Sequence, residues 1–347
     1  MSSIEITENN EIADITASPP GPEAEPGVPG RPPVLRVPDT DDPAGWATGA
    51  RERLRTELLT HGAVLVCGLE LREAADVGAV LERLAVEPVT EREAFAPRES
   101  YAPGVHSASP WPPDQPMCMH HELSYTLGFP ALLLFACLTG PTSGGAVGLA
   151  DAAAVLDALP RDLVERFERE GWLLDRSYND EIGATVSQAF GTAERDAMDS
   201  YCRAHAISWD WQPDGGLRTT QHRAAVVRHP VNGRRCWFNQ IAFLNEWTLA
   251  PEVREYLVDE YGPAGLPFNT RYGDGEPLEE EVVRLIGSVY ADHTVRLPWR
   301  AGDLLLVDNI RTAHSREAYE GPRDVVAAMA SPTRLDTCSP TAEAGQR

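Results

Sequence analysis

The stretch MHHELSY (Met119–Tyr125) stands just before FPALLLFACL (Phe129–Leu138), one of the most apolar runs in the chain. The apolar run predicts a strand that enters the core. Side chains i and i+2 of a strand lie on one face, so His120 and Glu122 are expected to point together while His121 points away. The stretch therefore predicts that an imidazole and a carboxylate converge beside a β core.

A second histidine completes the pattern of a mononuclear iron site. Such a site takes two histidines and one carboxylate on one face of the metal and leaves the other positions open. His314 follows the apolar run GDLLLVDN (302–309). The nearly two hundred residues between Glu122 and His314 exclude a local helical motif and fit a barrel that gathers ligands from distant strands.

An H-x-E triplet is a weak signal by itself, because short motifs often match by chance. The remaining histidines have no partner in the sequence pattern and are interpreted as surface or structural residues: His61, His106, His121, His205, His222, His229 and His293.

The order of predicted elements favours a mainly β fold in a single domain with flanking helices. Helical spacing predicts a helix from Ala44 that ends at Gly62, a second over 75–88, and two pieces split by Pro160. Short runs rich in valine and aromatic residues follow, bounded by turn residues as strands are. Strands mostly late and helices mostly early predict an antiparallel core rather than βαβ units.

The two ends of the chain are predicted to be tails. Residues 1–33 are rich in Pro, Gly, Glu and Ala, with too little apolar material to offset the entropy of ordering. We therefore predict a disordered tail over 1–33, a folded domain over 34–335 and a second disordered tail over 336–347.

Composition excludes several classes of function. The net charge is −23 and all thirty basic residues are arginine, so lysine Schiff-base and P-loop chemistry are excluded. The acidity argues against nucleic acid or an anionic membrane as partner. Six scattered cysteines without a C-x-x-C pair, no signal peptide and no long apolar segment predict a cytoplasmic protein with reduced thiols.

An arginine near His314 suggests an acidic co-substrate. Arg323 opens another apolar strand, and a guanidinium grips a carboxylate through two parallel hydrogen bonds. The alternative is a surface strand arginine, since most arginines are exposed.

Seven islands of sequence, in order along residues 45 to 332, resemble the taurine dioxygenase (TauD/TfdA) family of Fe(II)/2-oxoglutarate-dependent oxygenases. The similarity is greatest to the branch of the syringomycin-pathway hydroxylase and the clavaminate-synthase-like enzymes. The islands are HGAVLVCGL, MHHELSY with FPALLLFACL, GGAVGLAD, RHPVNGRRCWFNQ, NTRYGDG, WRAGDLLLVDNIRTAHSR and EGPRDVVAAM.

The resemblance implies a double-stranded β-helix (jelly roll) with Fe(II) held by His120, Glu122 and His314. It also implies that 2-oxoglutarate chelates the iron while Arg323 binds its far carboxylate, and that O₂ then oxidises a substrate C–H bond, usually by hydroxylation. The implied substrate is a small polar, amino-acid-derived metabolite of specialised metabolism, with desaturation or cyclisation as alternative outcomes. Halogenating relatives lack the carboxylate at the position of Glu122, so halogenation is disfavoured.

Further site residues follow from the resemblance with alternatives open. Asn239 is expected to bind a co-substrate or substrate oxygen or to close a strand structurally. Tyr125 is expected to face the substrate or to be a core tyrosine. Val147 stands where the family usually has a threonine hydroxyl near the far carboxylate, and Arg316 replaces Arg323 as the anchor if the register shifts.

Two other classes of function remain alternatives. One is a jelly-roll metal-dependent hydrolase or isomerase that does not use O₂, and the other is a degenerate, non-catalytic binding module. A free substrate is favoured over a carrier-protein-tethered one, because an acidic carrier would need a basic patch, for which the candidates are Arg234, Arg235 and Arg254. The oligomeric state is left open.

Overall fold

The structure is a computed structural model that describes residues 23–24, 31–38 and 40–341. Its α-helices are α1 (Pro43–His61), α2 (Ala74–Leu84), α3 (Ala152–Ala158), α4 (Arg161–Glu170), α5 (Val186–Phe190), α6 (Arg195–Ala204), α7 (Pro251–Tyr261) and α8 (Glu280–Asp292). No described helix has the length and hydropathy needed to cross a membrane.

The strands follow one another along the chain as β1 (Glu23–Ala24), β2 (Val34–Arg36), β3 (Ala63–Cys67), β4 (Ser100–Ala102), β5 (Val105–Ser107), β6 (Met117–His120), β7 (Gly128–Thr139), β8 (Ser143–Gly144), β9 (Val147–Asp151), β10 (Trp172–Tyr178), β11 (Ile207–Trp211), β12 (Leu217–Arg223), β13 (Val226–Arg228), β14 (Arg235–Trp237), β15 (Phe268–Tyr272), β16 (Val295–Leu297), β17 (Leu304–Asp308), β18 (Thr312–Arg316), β19 (Tyr319–Glu320) and β20 (Asp324–Arg334).

Two of the sheets form the jelly roll that the sequence predicts. The larger has the strand order β1-β2-β3-β17-β7-β20-β5-β4, and the smaller has the order β16-β9-β18-β6. Neighbouring strands run antiparallel except β2 and β3, which are parallel. Leu133 and Leu305 of the larger sheet share one apolar cluster with Leu149 and Ala313 of the smaller sheet, so the two sheets enclose a common core.

The larger sheet is buried on both faces, which explains the unbroken apolar run in β7. Leu133 faces the common core, whereas its neighbour Leu134 joins a second cluster with Leu54 of α1 and Val80 of α2. Because successive side chains alternate between faces, a strand covered on both sides needs apolar residues at every position.

The turn between α1 and β3 connects the outer helix layer to the strand of His314. Gly62 ends α1 in the left-handed region with φ 80°. A Cβ at this position would lie 2.3 Å from the Oγ1 of Thr312 in β18, so the close approach requires glycine. The carbonyl of Gly62 accepts hydrogen bonds from Thr312 Oγ1 and from the amide of Asp308.

Outside the jelly roll lies a third sheet with the order β11-β12-β10-β15. The expectation that helices lie mostly early was wrong, since α5 to α8 lie in the second half of the chain. Helix α7 buries no residue, and its Val253 and Tyr256 side chains are exposed. Helix α8 buries Val283, Ile286, Val289 and Tyr290 at helical spacing, a signal that the sequence did contain.

Most of the predicted tail 1–33 and half of the predicted tail 336–347 lie outside the described residues. Within the first, β1 pairs with β2. Within the second, a 3₁₀ turn spans Leu335–Cys338, and Cys338 is buried. Its side chain belongs to the common core, so packed structure extends past residue 335.

Candidate metal centre and its two cavities

The structure brings together the three side chains that the sequence predicts as metal ligands. His120 on β6 lies directly opposite His314 on β18 in the antiparallel register. One ligand atom from each of His120, Glu122 and His314 lies within 4.8 Å of the other two. The Glu122 Oε2 atom is 3.6 Å from His120 Nε2 and 3.8 Å from His314 Nε2.

Glu122 reaches this position by a route that the sequence analysis had wrong. Strand β6 ends at His120, and Glu122 begins a turn in which Leu123 adopts φ 55°. Its backbone is held by Asn309: the Glu122 amide donates to Asn309 Oδ1 at 2.8 Å, and Asn309 Nδ2 donates to the Glu122 carbonyl at 2.9 Å. A turn fixed by a buried amide, rather than a continuous strand, therefore places the carboxylate beside His120.

A buried arginine orients the Glu122 carboxylate. Arg98 Nη2 donates to Glu122 Oε1 at 2.8 Å, which leaves Oε2 facing the two imidazoles. Burial raises the pKa of Glu122, but the opposing effects of Arg98, His120 and His314 are larger, so this pKa lies well below its usual range. Glu122 is therefore an anion at neutral pH.

The two histidines direct their Nε2 atoms toward the same Glu122 oxygen. His120 Nδ1 donates to the carbonyl of Cys118 at 2.9 Å, which orients this ring with Nε2 toward the centre. Burial, then the neighbouring His120, lowers the pKa of His314 well below its ordinary value. Two neutral imidazoles and one carboxylate are the donor set of mononuclear non-haem iron oxygenases, and these residues fit Fe(II).

Two cavities meet at this centre and share Arg98, His120 and Glu122. We call the first the arginine cavity; its volume is about 70 Å³, and it is lined also by His314, Val147, Trp299, Arg316 and Arg323. We call the second the aromatic cavity; its volume is about 190 Å³, and it is lined also by Glu91, Phe95, Trp111, Tyr125, Gln240, Phe243 and Phe268. The centre can thus contact two different molecules at once.

Two of the three arginines that line the arginine cavity, Arg316 and Arg323, differ in their partners. Arg316 donates to the carbonyls of Trp111, Pro112 and Gln115 at 3.3, 2.7 and 2.5 Å. The buried Nε of Arg323 has no hydrogen-bond partner among the described residues. Burial and the nearby Arg316 lower the pKa of Arg323, as expected of a guanidinium that lacks an anion.

Comparison with known proteins identifies the family. A model of the taurine catabolism dioxygenase TauD, TfdA family matches residues 32–329. The dapdiamide synthesis protein DdaC of Enterobacter agglomerans is 31% identical over 277 residues, which cover 80% of this chain and 84% of that protein. The chain belongs to the TauD/TfdA family. This TauD/TfdA-family protein is therefore a 2-oxoglutarate-dependent non-haem iron oxygenase, an enzyme that uses Fe(II), 2-oxoglutarate and O₂.

Other relatives agree with this assignment. A clavaminate synthase-like protein of Arabidopsis thaliana is 27% identical over 279 residues, covering 77% of this chain and 81% of that protein. The crystal structure of a taurine dioxygenase from Burkholderia xenovorans superposes with a TM-score of 0.54 at 17% identity, covering 92% of this chain and 93% of that chain. The superposition shows that this TauD/TfdA-family protein has the same fold.

The remaining predicted site residues lie at different distances from the centre. Tyr125 lines the aromatic cavity and donates its hydroxyl hydrogen to the Glu93 carbonyl at 3.1 Å, so it is buried and faces the cavity at once. Asn239 lies outside the residues that line the two cavities. Its Nδ2 donates to the Ala225 carbonyl at 3.1 Å and its Oδ1 accepts from the Ile241 amide at 3.1 Å, which is the structural alternative.

The sequence analysis missed the residues that surround the ligands. Arg98 and Glu91 lie in an irregular segment without apolar periodicity, so no pattern pointed to them. Asn309 could have been identified from the sequence as a site residue, because it directly follows the strand that leads to His314. Asp308 beside it stabilises the turn at the end of this strand, since its Oδ1 accepts from the Ile310 and Arg311 amides.

Proposed function

We propose that this oxygenase oxidises an unactivated C–H bond of a small, polar, amino-acid-derived metabolite, most simply by hydroxylation. In this proposal His120, Glu122 and His314 hold the iron. The convergence of these three side chains within 4.8 Å, from positions far apart in the chain, is the observation that carries the proposal. Iron bound there supplies the activation of O₂ that is coupled to decarboxylation of 2-oxoglutarate.

The arginine cavity is the proposed site for 2-oxoglutarate. Its end near Glu122 reaches the metal ligands, and Arg323 supplies for the far carboxylate a guanidinium that has no hydrogen-bond or ion-pair partner among the described residues. Val147 removes the hydroxyl that the family usually offers. The indole Nε1 of Trp299 is buried in the same cavity without a hydrogen-bond partner, and we assign to it the donor role that Val147 lacks.

The aromatic cavity is the proposed site for the primary substrate. Phe95, Trp111, Phe243 and Phe268 line it, and Phe243 stacks on the His120 ring at 4.7 Å between centroids. These rings exclude water from the reacting C–H bond and hold the substrate beside His120, on the side that faces the metal. Hydroxylation is the usual outcome at such a site, and desaturation or cyclisation depends on the substrate.

Two observations support a small, free, amino-acid-derived substrate. The relative DdaC is named for the synthesis of dapdiamide. The three arginines considered as a carrier-protein patch are each paired with a carboxylate: Arg234 with Asp151, Arg235 with Glu168, and Arg254 with Glu246. Paired cations offer little attraction to an acidic carrier.

The proposal is tested by incubating the Fe(II)-loaded enzyme with 2-oxoglutarate, O₂ and a panel of amino acids while succinate is measured. We expect substrate-dependent succinate formation that is lost in His120→Ala, Glu122→Ala and His314→Ala. His61→Ala, which replaces an exposed histidine at the end of α1, is the matched control and should remain active. Full turnover by any of the three ligand variants would refute the assignment, and turnover without O₂ would favour the hydrolase or isomerase alternative.

A further inference from the structure

One carboxylate of the aromatic cavity has no role in holding the metal. Glu91 is largely buried, and its Oε2 lies 3.6 Å from Arg98 Nε, which is too far for a hydrogen bond. No described residue donates a hydrogen bond to the Glu91 carboxylate. Arg98 is instead hydrogen-bonded to Glu122 at 2.8 Å. Glu91 thus lines the cavity without a hydrogen-bond donor among the described residues, and it shares its ion-pair partner, Arg98, with Glu122.

The surroundings of Glu91 suit a cation. Burial raises the pKa of Glu91, and Arg98 acts in the opposite direction. A buried carboxylate is costly unless a donor or a cation compensates it. Phe268 lines the same cavity, and aromatic rings attract ammonium groups, whereas the Phe95 ring already carries the Arg176 guanidinium at 3.6 Å from its centroid.

The segment that carries Glu91 is held rigidly two residues further on. Glu93 is 1% exposed and adopts φ 60°. Its carboxylate accepts hydrogen bonds from Tyr201 Oη at 2.8 Å and from Gln221 Nε2 at 2.5 Å, and its carbonyl accepts from Arg176 Nη1 at 2.6 Å. These bonds anchor the backbone two residues after Glu91 before any ligand arrives, and such preorganisation favours recognition.

We propose that Glu91 binds a protonated amine of the primary substrate, so that the substrate of this oxygenase carries a free ammonium group. The inference rests on the proposed function, because it places the substrate in the aromatic cavity. The aromatic cavity, at about 190 Å³, is larger than the arginine cavity, at about 70 Å³. The ligand class proposed for it is an amino acid or a close derivative with its amine unmodified.

The test compares ligands that differ only in the amine. Free α-amino acids and the matching α-hydroxy acids are titrated anaerobically into the Fe(II)·2-oxoglutarate enzyme, and the charge-transfer band and calorimetric heats are followed. We expect at least one amino acid to bind roughly 10- to 150-fold more tightly than its hydroxy analogue, the range for a hydrogen bond to a charged group. Glu91→Gln should abolish this preference, while its Kd for 2-oxoglutarate stays unchanged.

Glu99→Gln is the matched control, since it removes an exposed carboxylate from the same segment and should keep the wild-type preference. Provided that the 2-oxoglutarate band persists, three results overturn the inference. They are equal binding of the amino acids and the hydroxy acids, binding of neither set, and a preference retained in Glu91→Gln. A wild-type enzyme that forms no such band refutes the proposed function itself, and the inference with it. A weakened band in Glu91→Gln would show that Glu91 serves only to position Arg98, and would also overturn it.

Discussion

Two single replacements in the arginine cavity should have different effects: Arg323→Met should mainly weaken 2-oxoglutarate binding, whereas Arg316→Met should mainly lower the stability of the fold. Arg323→Met removes the proposed partner of the far carboxylate of 2-oxoglutarate. Truncating one side of a buried, hydrogen-bonded charge pair costs about 2–5 kcal/mol, so the Kd should rise roughly 30-fold to a few thousand-fold. Free of ligand, this variant should be at least as stable as the wild type, because Arg323 Nε has no partner there and methionine keeps the apolar stem.

Arg316→Met should instead destabilise the protein. It removes the hydrogen bonds to the carbonyls of Trp111, Pro112 and Gln115. The segment that holds these carbonyls is mostly exposed, so water can replace the lost donors and each hydrogen bond is worth about 1 kcal/mol. The free energy of unfolding should therefore fall by roughly 2–3 kcal/mol. The effect on 2-oxoglutarate affinity should be smaller than that of Arg323→Met.

Two measurements on each variant decide the matter: urea unfolding without ligand, and anaerobic titration of the Fe(II) enzyme with 2-oxoglutarate. The reasoning fails if Arg316→Met loses more affinity than Arg323→Met while it keeps wild-type stability. That result would make Arg316 the anchor, as a shifted register would require.

Three further predictions concern the same centre. Trp299→Phe keeps the ring but removes the N–H, and it should raise the Kd for 2-oxoglutarate roughly tenfold or more in calorimetry; an unchanged Kd would remove Trp299 from the site. In the double variant with Trp299→Phe, Val147→Thr restores a hydroxyl donor at nearly equal volume and should recover much of the lost affinity for 2-oxoglutarate. No recovery would place the far carboxylate elsewhere. Asn309→Leu removes the hydrogen bonds that hold Glu122, so Mn(II) affinity should fall roughly 10- to 100-fold, whereas the exposed Asn232→Leu should bind Mn(II) like the wild type.

Periodicity in the sequence revealed the helices that bury one face and the strands that are buried on both faces. Helix α2 and strand β7 were predictable because their apolar residues repeat at helical spacing or run without interruption. Helix α7 was not predicted, and it packs no residue into the core. Gly62 marked the end of α1 correctly, because a left-handed terminus strongly favours glycine.

The sequence by itself determined which atoms can bind the metal, since the types and order of His120, Glu122 and His314 are written in the chain. Only the tertiary structure decided how they meet: through a turn that Asn309 clamps, with Arg98 turning one carboxylate oxygen toward the imidazoles. The physical reason is that ligand identity depends on local chemistry, whereas orientation depends on hydrogen bonds between residues remote in sequence. Such contacts leave no periodic trace in a single chain.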